Sequence, residues 1–226
     1  MKNILLITTL LSFVVNLTQA QYGPLKGTGK IVQKNYDIRN FDKISFEDLD
    51  GKIEVEVGKS FSVKIDIDEN LESLLYVSKE EKEGVLTVGL KGNTNNKQYV
   101  EDTRIKVKVT LPEASVIQHR GNSSLHVAGL VGRYFRLEND GNGDASLQGS
   151  IDELDIKKEG NGNVNARNLV AKTAKVKCYG NGNVDVYSQI SLATHGSGNG
   201  NVGQFGPGKI DPISGIMGNG SVRVKH

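Results

Sequence analysis

The chain has no tryptophan, one cysteine, four prolines and no excess of either charge, and each scarcity removes a class of protein. A single cysteine, Cys178, excludes an internal disulfide framework. Twenty-eight Lys and Arg against 26 Asp and Glu, alternating along the chain, leave no basic stripe for nucleic acid. Prolines are few and the 27 glycines sit at regular intervals, which is not the composition of a linker or a disordered tail. After residue 20 no apolar run is long enough to span a bilayer as a helix.

What the chain does have is a repeat. Gly-Asn followed by a small residue begins at Gly121, Gly141, Gly160, Gly180, Gly198 and Gly218, at spacings of 20, 19, 20, 18 and 20 residues. The second position is always Asn: Asn122, Asn142, Asn161, Asn181, Asn199 and Asn219. The third is Ser123, then Gly143, Gly162, Gly182, Gly200 and Gly220, as expected where the backbone takes positive φ or passes close to another strand. Four and six residues on stand Leu125/Val127, Ala145/Leu147, Val164/Ala166, Val184/Val186, Val202/Gln204 and Val222/Val224. Phe135/Leu137, Leu154/Ile156, Ala174/Val176 and Leu192/Thr194 precede the middle copies with the same alternation. Period two on both flanks predicts strand, tight turn, strand. A unit of about 20 residues cannot enclose its own core, so copies must stack and share one. The expected fold is all-β: a parallel, right-handed β-helix with Gly-Asn-Gly turns between two sheets.

The asparagine row has two readings. It either presents amides to a ligand, or forms a turn ladder in which each amide bonds its neighbours above and below. The ladder is the preferred reading, because repetition lets buried amides satisfy one another. By the parity of Ala174 and Val176, Cys178 points inward as a small apolar residue.

Residues 1–20 read as a secretory signal peptide: Lys2, an apolar stretch from Ile4 to Leu17, and Thr18-Gln19-Ala20 at the cleavage position. The expected location is therefore outside the cytoplasm: periplasm, outer-membrane surface or secreted. Residues 21–112 form a less regular β region with strand patterns at Ile44–Phe46, Ile53–Val57, Phe61–Ile67, Val85–Leu90 and Ile105–Leu111. Lys79–Glu83 reads as an exposed turn and Asn93–Gln98 as a polar loop. Residues 113–226 are the six repeats, expected to be continuous with the preceding region. Arg223, Lys225 and His226 stand where charges would discourage end-to-end stacking, so a monomer is expected.

Gly27-Thr28-Gly29, Arg39-Asn40-Phe41-Asp42-Lys43-Ile44, the strand Ile53–Val57 closed by Gly58, Leu111-Pro112 and the Gly-Asn-Gly series together resemble the family described as putative auto-transporter adhesin, head GIN domain, of Bacteroidetes. The resemblance implies a β-helical superhelix and a role in cell adhesion, with a surface glycan or a cell-surface protein as partner. It defines no functional residue to carry over.

Catalysis by a β-helix needs converging carboxylates or an acidic metal cluster. Asp144 and Asp185 fall at different offsets in their repeats. The fourth repeat position holds Ser124, Asp144, Asn163, Asn183, Asn201 and Ser221, not the recurrent Asp of a calcium-binding repeat. His119, His126, His195 and His226 show no ligand spacing. The sequence therefore predicts no catalytic residue, no metal site and no cofactor. Two functions are carried forward: an exported, non-catalytic adhesion or surface-structural solenoid, and alternatively a carbohydrate-binding or carbohydrate-degrading β-helix. Tyr134, Tyr179 and Tyr187 sit at outward parity but different offsets, so no continuous aromatic platform for sugars is expected.

Overall fold

The computed structural model describes residues 24–92 and 100–225. The expected signal peptide, the polar loop Asn93–Gln98 and His226 lie outside the described residues. The protein is all-β. The first part contains β1 (Leu25–Lys26), β2 (Ile31–Tyr36), β3 (Lys43–Leu49), β4 (Gly51–Val57), β5 (Ser62–Asp68), a 3-10 helix (Glu69–Leu74), β6 (Leu75–Glu80), β7 (Val85–Leu90), β8 (Val100–Glu101) and β9 (Ile105–Leu111). The repeats follow as β10 (Val116–Gly121), β11 (Ser124–Gly141), β12 (Ala145–Gly160), β13 (Val164–Gly180), β14 (Val184–Gly198), β15 (Val202–Gln204), β16 (Lys209–Ile210), β17 (Gly215–Gly218) and β18 (Val222–Val224).

Each full repeat is one strand of 15 to 18 residues running from one Gly-Asn corner to the next. Strands β11 to β14 pair in parallel, each with the strand one repeat later. Gly121 pairs with Gly141, Gly141 with Gly160, Gly180 with Gly198 and Gly198 with Gly218, so the Gly-Asn corner keeps its register through unequal repeats. The length differences are absorbed at the opposite corner. Register shifts fall there, between Val127 and Leu130, Ser146 and Gln148, and Ala166 and Val170. The last coil breaks into the short β15, β16 and β17 because Pro207 and Pro212 cannot donate to a ladder.

Two expectations need correction. The pairing is mixed, not uniformly parallel: β2 and β9 both lie antiparallel to β5, and β6 lies antiparallel to β7. The β6–β7 connection is a tight turn closed by Gly84, whose N–H donates to Glu80 O at 2.9 Å, and so short a link permits only an antiparallel pair. Nor do the strands divide into two sheets, since all but β1 and β8 are joined in one 16-stranded hydrogen-bonded network. Strands β2 and β6 and the 3-10 helix were not anticipated, and Lys79 and Glu80 belong to β6, the turn following them.

The two parts share hydrogen bonds and core. Strand β10 pairs in parallel with β3, and β11 with β4. One cluster of buried side chains runs from Phe41 through Phe46, Ile65, Val107, Phe135, Ile156 and Val186 to Val202. The inward columns read from the alternation are buried from Leu125 to Gln204, but at the last coil the column opens: Val222 is half-buried and Val224 is 55% exposed. No later strand covers it among the described residues.

Candidate functional site

The Gly-Asn corner is the most repeated feature of the molecule, and its geometry assigns a separate task to each position. The first glycine carries the left-handed backbone, with φ between 91° and 124° across the six copies. This conformation turns its carbonyl along the stack, where Gly121 O accepts from Asn142 N at 3.1 Å and Gly143 N at 3.0 Å. Gly141 O does the same for Asn161 and Gly162, and Gly180 O for Asn199 and Gly200. The third glycine does not have positive φ, contrary to one of the two reasons offered for it. It is glycine because the corners nest: a Cβ at Gly162 would overlap Gly143 O, one at Gly182 would overlap Gly162 O, and Gly143, Gly200 and Gly220 are equally tight.

The six asparagines form a chain of side-chain hydrogen bonds. Asn142 Nδ2 donates to Asn122 Oδ1 at 3.0 Å, Asn161 to Asn142 at 2.8 Å, Asn181 to Asn161 at 2.8 Å, Asn199 to Asn181 at 2.8 Å and Asn219 to Asn199 at 2.9 Å. All six are exposed, so burial cannot be the reason they pair. A second ladder stands beside the first at the position considered only for calcium. Asp144 Oδ1 accepts from Asn163 N at 2.7 Å, Asn163 Oδ1 from Asn183 N at 3.0 Å, Asn183 Oδ1 from Asn201 N at 2.9 Å, and Asn201 Oδ1 from Ser221 N at 3.1 Å. The recurrence of Asn and Asp in that column was the available signal.

Because the first ladder is solvent-exposed, each of its bonds contributes at the lower end of the usual range. Asn161→Ala removes two such bonds and Asn219→Ala removes one. The expected costs are about 1 kcal/mol for the central variant and about half that for the terminal one. Urea denaturation compares them directly, and identical midpoints would show that the ladder adds no measurable stability.

Inside the corner, two positions before the first glycine of each of the first four copies, runs a column of His119, Asn139, Lys158 and Cys178, all buried. His119 Nδ1 lies 2.6 Å from Asn139 Oδ1 and its Nε2 2.8 Å from Ser123 Oγ. Burial pushes the His119 pKa down, partly offset by these hydrogen bonds. Asn139 Nδ2 donates to Gly143 O at 2.9 Å. Lys158 Nζ donates to Gly160 O at 2.7 Å, Gly182 O at 2.9 Å and Tyr179 O at 3.2 Å, and no carboxylate pairs with it. Burial lowers the Lys158 pKa and raises that of Cys178, which leaves Cys178 a protonated, unreactive thiol. The column satisfies inward-facing carbonyls of the nested corners and is closed to solvent, so it is a structural device.

Asp144 is occupied in the second ladder, Asp185 is ion-paired with Arg167, and Asp155 holds Arg136 at 2.7 Å. Asp152 pairs with Lys172 at 2.8 Å. These carboxylates do not converge. His126 Nδ1 lies 2.8 Å from Ser146 Oγ on the outer face. Tyr134 is exposed and Tyr179 and Tyr187 are half-buried, in separate columns. Among the described residues no group of three or more His, Cys, Asp or Glu is placed to hold a metal ion, and no helix is long and apolar enough to cross a membrane.

Solved structures share this fold. A putative adhesin from Bacteroides fragilis superposes with a TM-score of 0.67 at 19% identity, over 89% of this chain and 100% of its own. A putative adhesin from Parabacteroides merdae gives 0.52 at 21% identity, over 89% and 99%. A putative lipid binding protein from Parabacteroides distasonis gives 0.50 at 21% identity, over 90% and 100%. At these identities the likeness is one of fold. No curated protein sequence matches the chain. The model of one family does, over residues 40–207, which takes in the β3–β9 region as well as the first five Gly-Asn corners: the chain belongs to the family described as putative auto-transporter adhesin, head GIN domain.

Proposed function

We propose that this is an exported, non-catalytic adhesion domain built as a right-handed β-helix, with residues 21–112 and 113–226 forming one continuous unit and residues 1–20 acting as a removable leader. The observation that carries this reading is the uninterrupted stack itself. In-register coils hold their outward polar side chains in rows about 4.8 Å apart, a rigid surface that can engage an extended partner at many equivalent points. Asp144, Asp152, Asp155 and Asp185 are committed to a ladder or to ion pairs, which supports a binding role over a catalytic one. Family membership and the adhesin names of similar structures agree with it. The working form is a monomer, since Arg223 and Lys225 flank the open edge at β18 with like charge.

The test is retention. Beads coated with the protein should bind to the surface of the cells that make it, or to cells those cells colonise, more strongly than albumin-coated beads. Retention equal to the albumin control on every surface tried would rule the adhesion reading out.

A further inference from the structure

The outer face of the sheet is hollowed where the pairing changes from parallel to antiparallel. Strand β9 lies parallel to β4 on one side and antiparallel to β5 on the other. Two adjoining hollows of about 530 and 390 Å³ follow that seam, a third of about 400 Å³ lies beside them over β4 and β11–β13, and Lys52 lines all three. They form one groove that starts over β2, β5 and β9, crosses β4, and runs onto the polar face of β11, β12 and β13, where His126, Ser146 and Asn165 are in register. At the usual strand spacing the stretch from β9 to β13 covers about 19 Å.

Four cations converge at the β5–β9 end of this groove, Lys52, Lys64, Arg104 and Lys106, with Lys108 beside them. These four are exposed, and among the described residues none of them has a carboxylate within ion-pair distance. Lys52 and Lys106 stand directly opposite each other on β4 and β9, and Lys64 opposite Lys108 on β5 and β9. Like charges at directly opposed positions destabilise a sheet. Other cations of the surface are compensated: Arg136 sits 2.7 Å from both Glu138 and Asp155, and Lys108, on the same strand as Lys106, is held by Glu56 at 2.7 Å. The backbone beneath is held in place by the buried Asp68 carboxylate, which accepts from Gly29 N at 2.7 Å and Arg104 N at 2.8 Å. Four carboxylates also line the groove, and one of them, Asp144, is engaged in the second ladder. Asp66 accepts from Gln33 Nε2 at 2.9 Å, while Asp50 and Glu54 stand beside Lys52.

We infer that this groove is a binding site for an acidic glycan, a linear oligosaccharide bearing carboxylate or sulfate groups. Lys52, Lys64, Arg104 and Lys106 receive the anionic groups, which relieves the opposed positive charges. Asp66 and Glu54, then His126, Ser146 and Asn165, offer acceptors and donors to the sugar hydroxyls along the remainder of the groove. The mixture suits a chain that carries both charge and hydroxyls, and the straight run across parallel strands suits an extended one. This inference deepens the adhesion reading and rests on it for its biological setting, but its chemistry is tested separately.

Isothermal titration of the purified protein would use a hexamer of galacturonate, a sulfated hexasaccharide and a neutral hexasaccharide of glucose. Binding of one or both acidic oligomers, weakening as salt rises, with no binding of the neutral one, is the expected result. Lys52→Gln with Lys106→Gln should weaken it by about tenfold or more, whereas Lys175→Gln with Lys177→Gln, exposed on another face, should leave it unchanged. Far-UV circular dichroism verifies that both variants fold. Unaltered affinity in the Lys52/Lys106 variant, or no binding of any acidic oligomer, overturns the inference. So does attachment to phosphatidylglycerol vesicles that the oligosaccharides fail to compete away. Groove-dependent binding without bead retention would leave the glycan site standing and remove the adhesion role; retention without acidic-glycan binding would do the reverse.

Discussion

Gly182→Val should lower the stability of the protein by more than about 3 kcal/mol, with a urea midpoint far below that of the parent. A side chain at this position has nowhere to go. Its Cβ would overlap the carbonyl oxygen of Gly162 and would come within 2.6 Å of Asn161 O, both backbone atoms of the preceding corner. That corner cannot retreat, because Asn161 N is itself bonded to Gly141 O at 2.9 Å and Gly162 N to the same oxygen at 3.1 Å. The strain therefore passes along the stack instead of relaxing into solvent. Gly215→Ala is the control: an added Cβ there meets no atom within 4 Å and the backbone is not left-handed, so the change should be nearly neutral. A Gly182→Val midpoint equal to that of the control would show that the corners do not nest this closely.

Lys158→Ala should cost about 2–4 kcal/mol, combining the cavity left by a long buried side chain with the loss of a donor to three carbonyls. Lys158 is 0% exposed. Lys158→Met fills most of the same volume without an ammonium to desolvate, and should therefore be at least about 1 kcal/mol more stable than the alanine variant. The pH dependence separates charge from shape. Burial lowers the folded-state pKa of Lys158 below its ordinary 10.5, so between the two values the unfolded chain binds more protons than the folded one. The contribution of Lys158 to stability is therefore expected to rise with pH from the lowered value up to 10.5, and Lys158→Met should lack that rise. Parallel stability profiles for the parent and Lys158→Met in this window would mean that the ammonium is not desolvated.

The architecture was legible where the signal is local. The 18–20 residue spacing, the period-two columns on both sides of the corner and the glycine at its first position are properties of one repeat read many times, and stacking follows because no single repeat can bury its own apolar face. The parity that placed Cys178 inward applies equally to Lys158, two residues after Ile156, and to Asn139, two after Leu137. That signal was present, but the column holds His, Asn, Lys and Cys, four chemistries with no shared hydropathy; the corner carbonyls accept from Asn139, Lys158 and Cys178, while His119 is held by the side chains of Asn139 and Ser123.

By itself, then, the sequence determined the all-β class, the repeat, the family and the inward columns from Leu125 to Gln204, because each depends on residues near one another in the chain. Tertiary structure decided the rest. It turned the asparagine ladder toward solvent, transferred left-handed backbone from the third glycine to the first, and set β2–β5–β9 and β6–β7 antiparallel at one end. It also brought Lys52 of β4, Lys64 of β5, Lys106 of β9 and Arg104 just before β9 into one groove, from positions up to 54 residues apart (52 to 106). The physical reason is common to all four: each outcome depends on what the neighbouring strand places opposite a residue, and a strand's neighbour is chosen by the fold, not by adjacency in the chain.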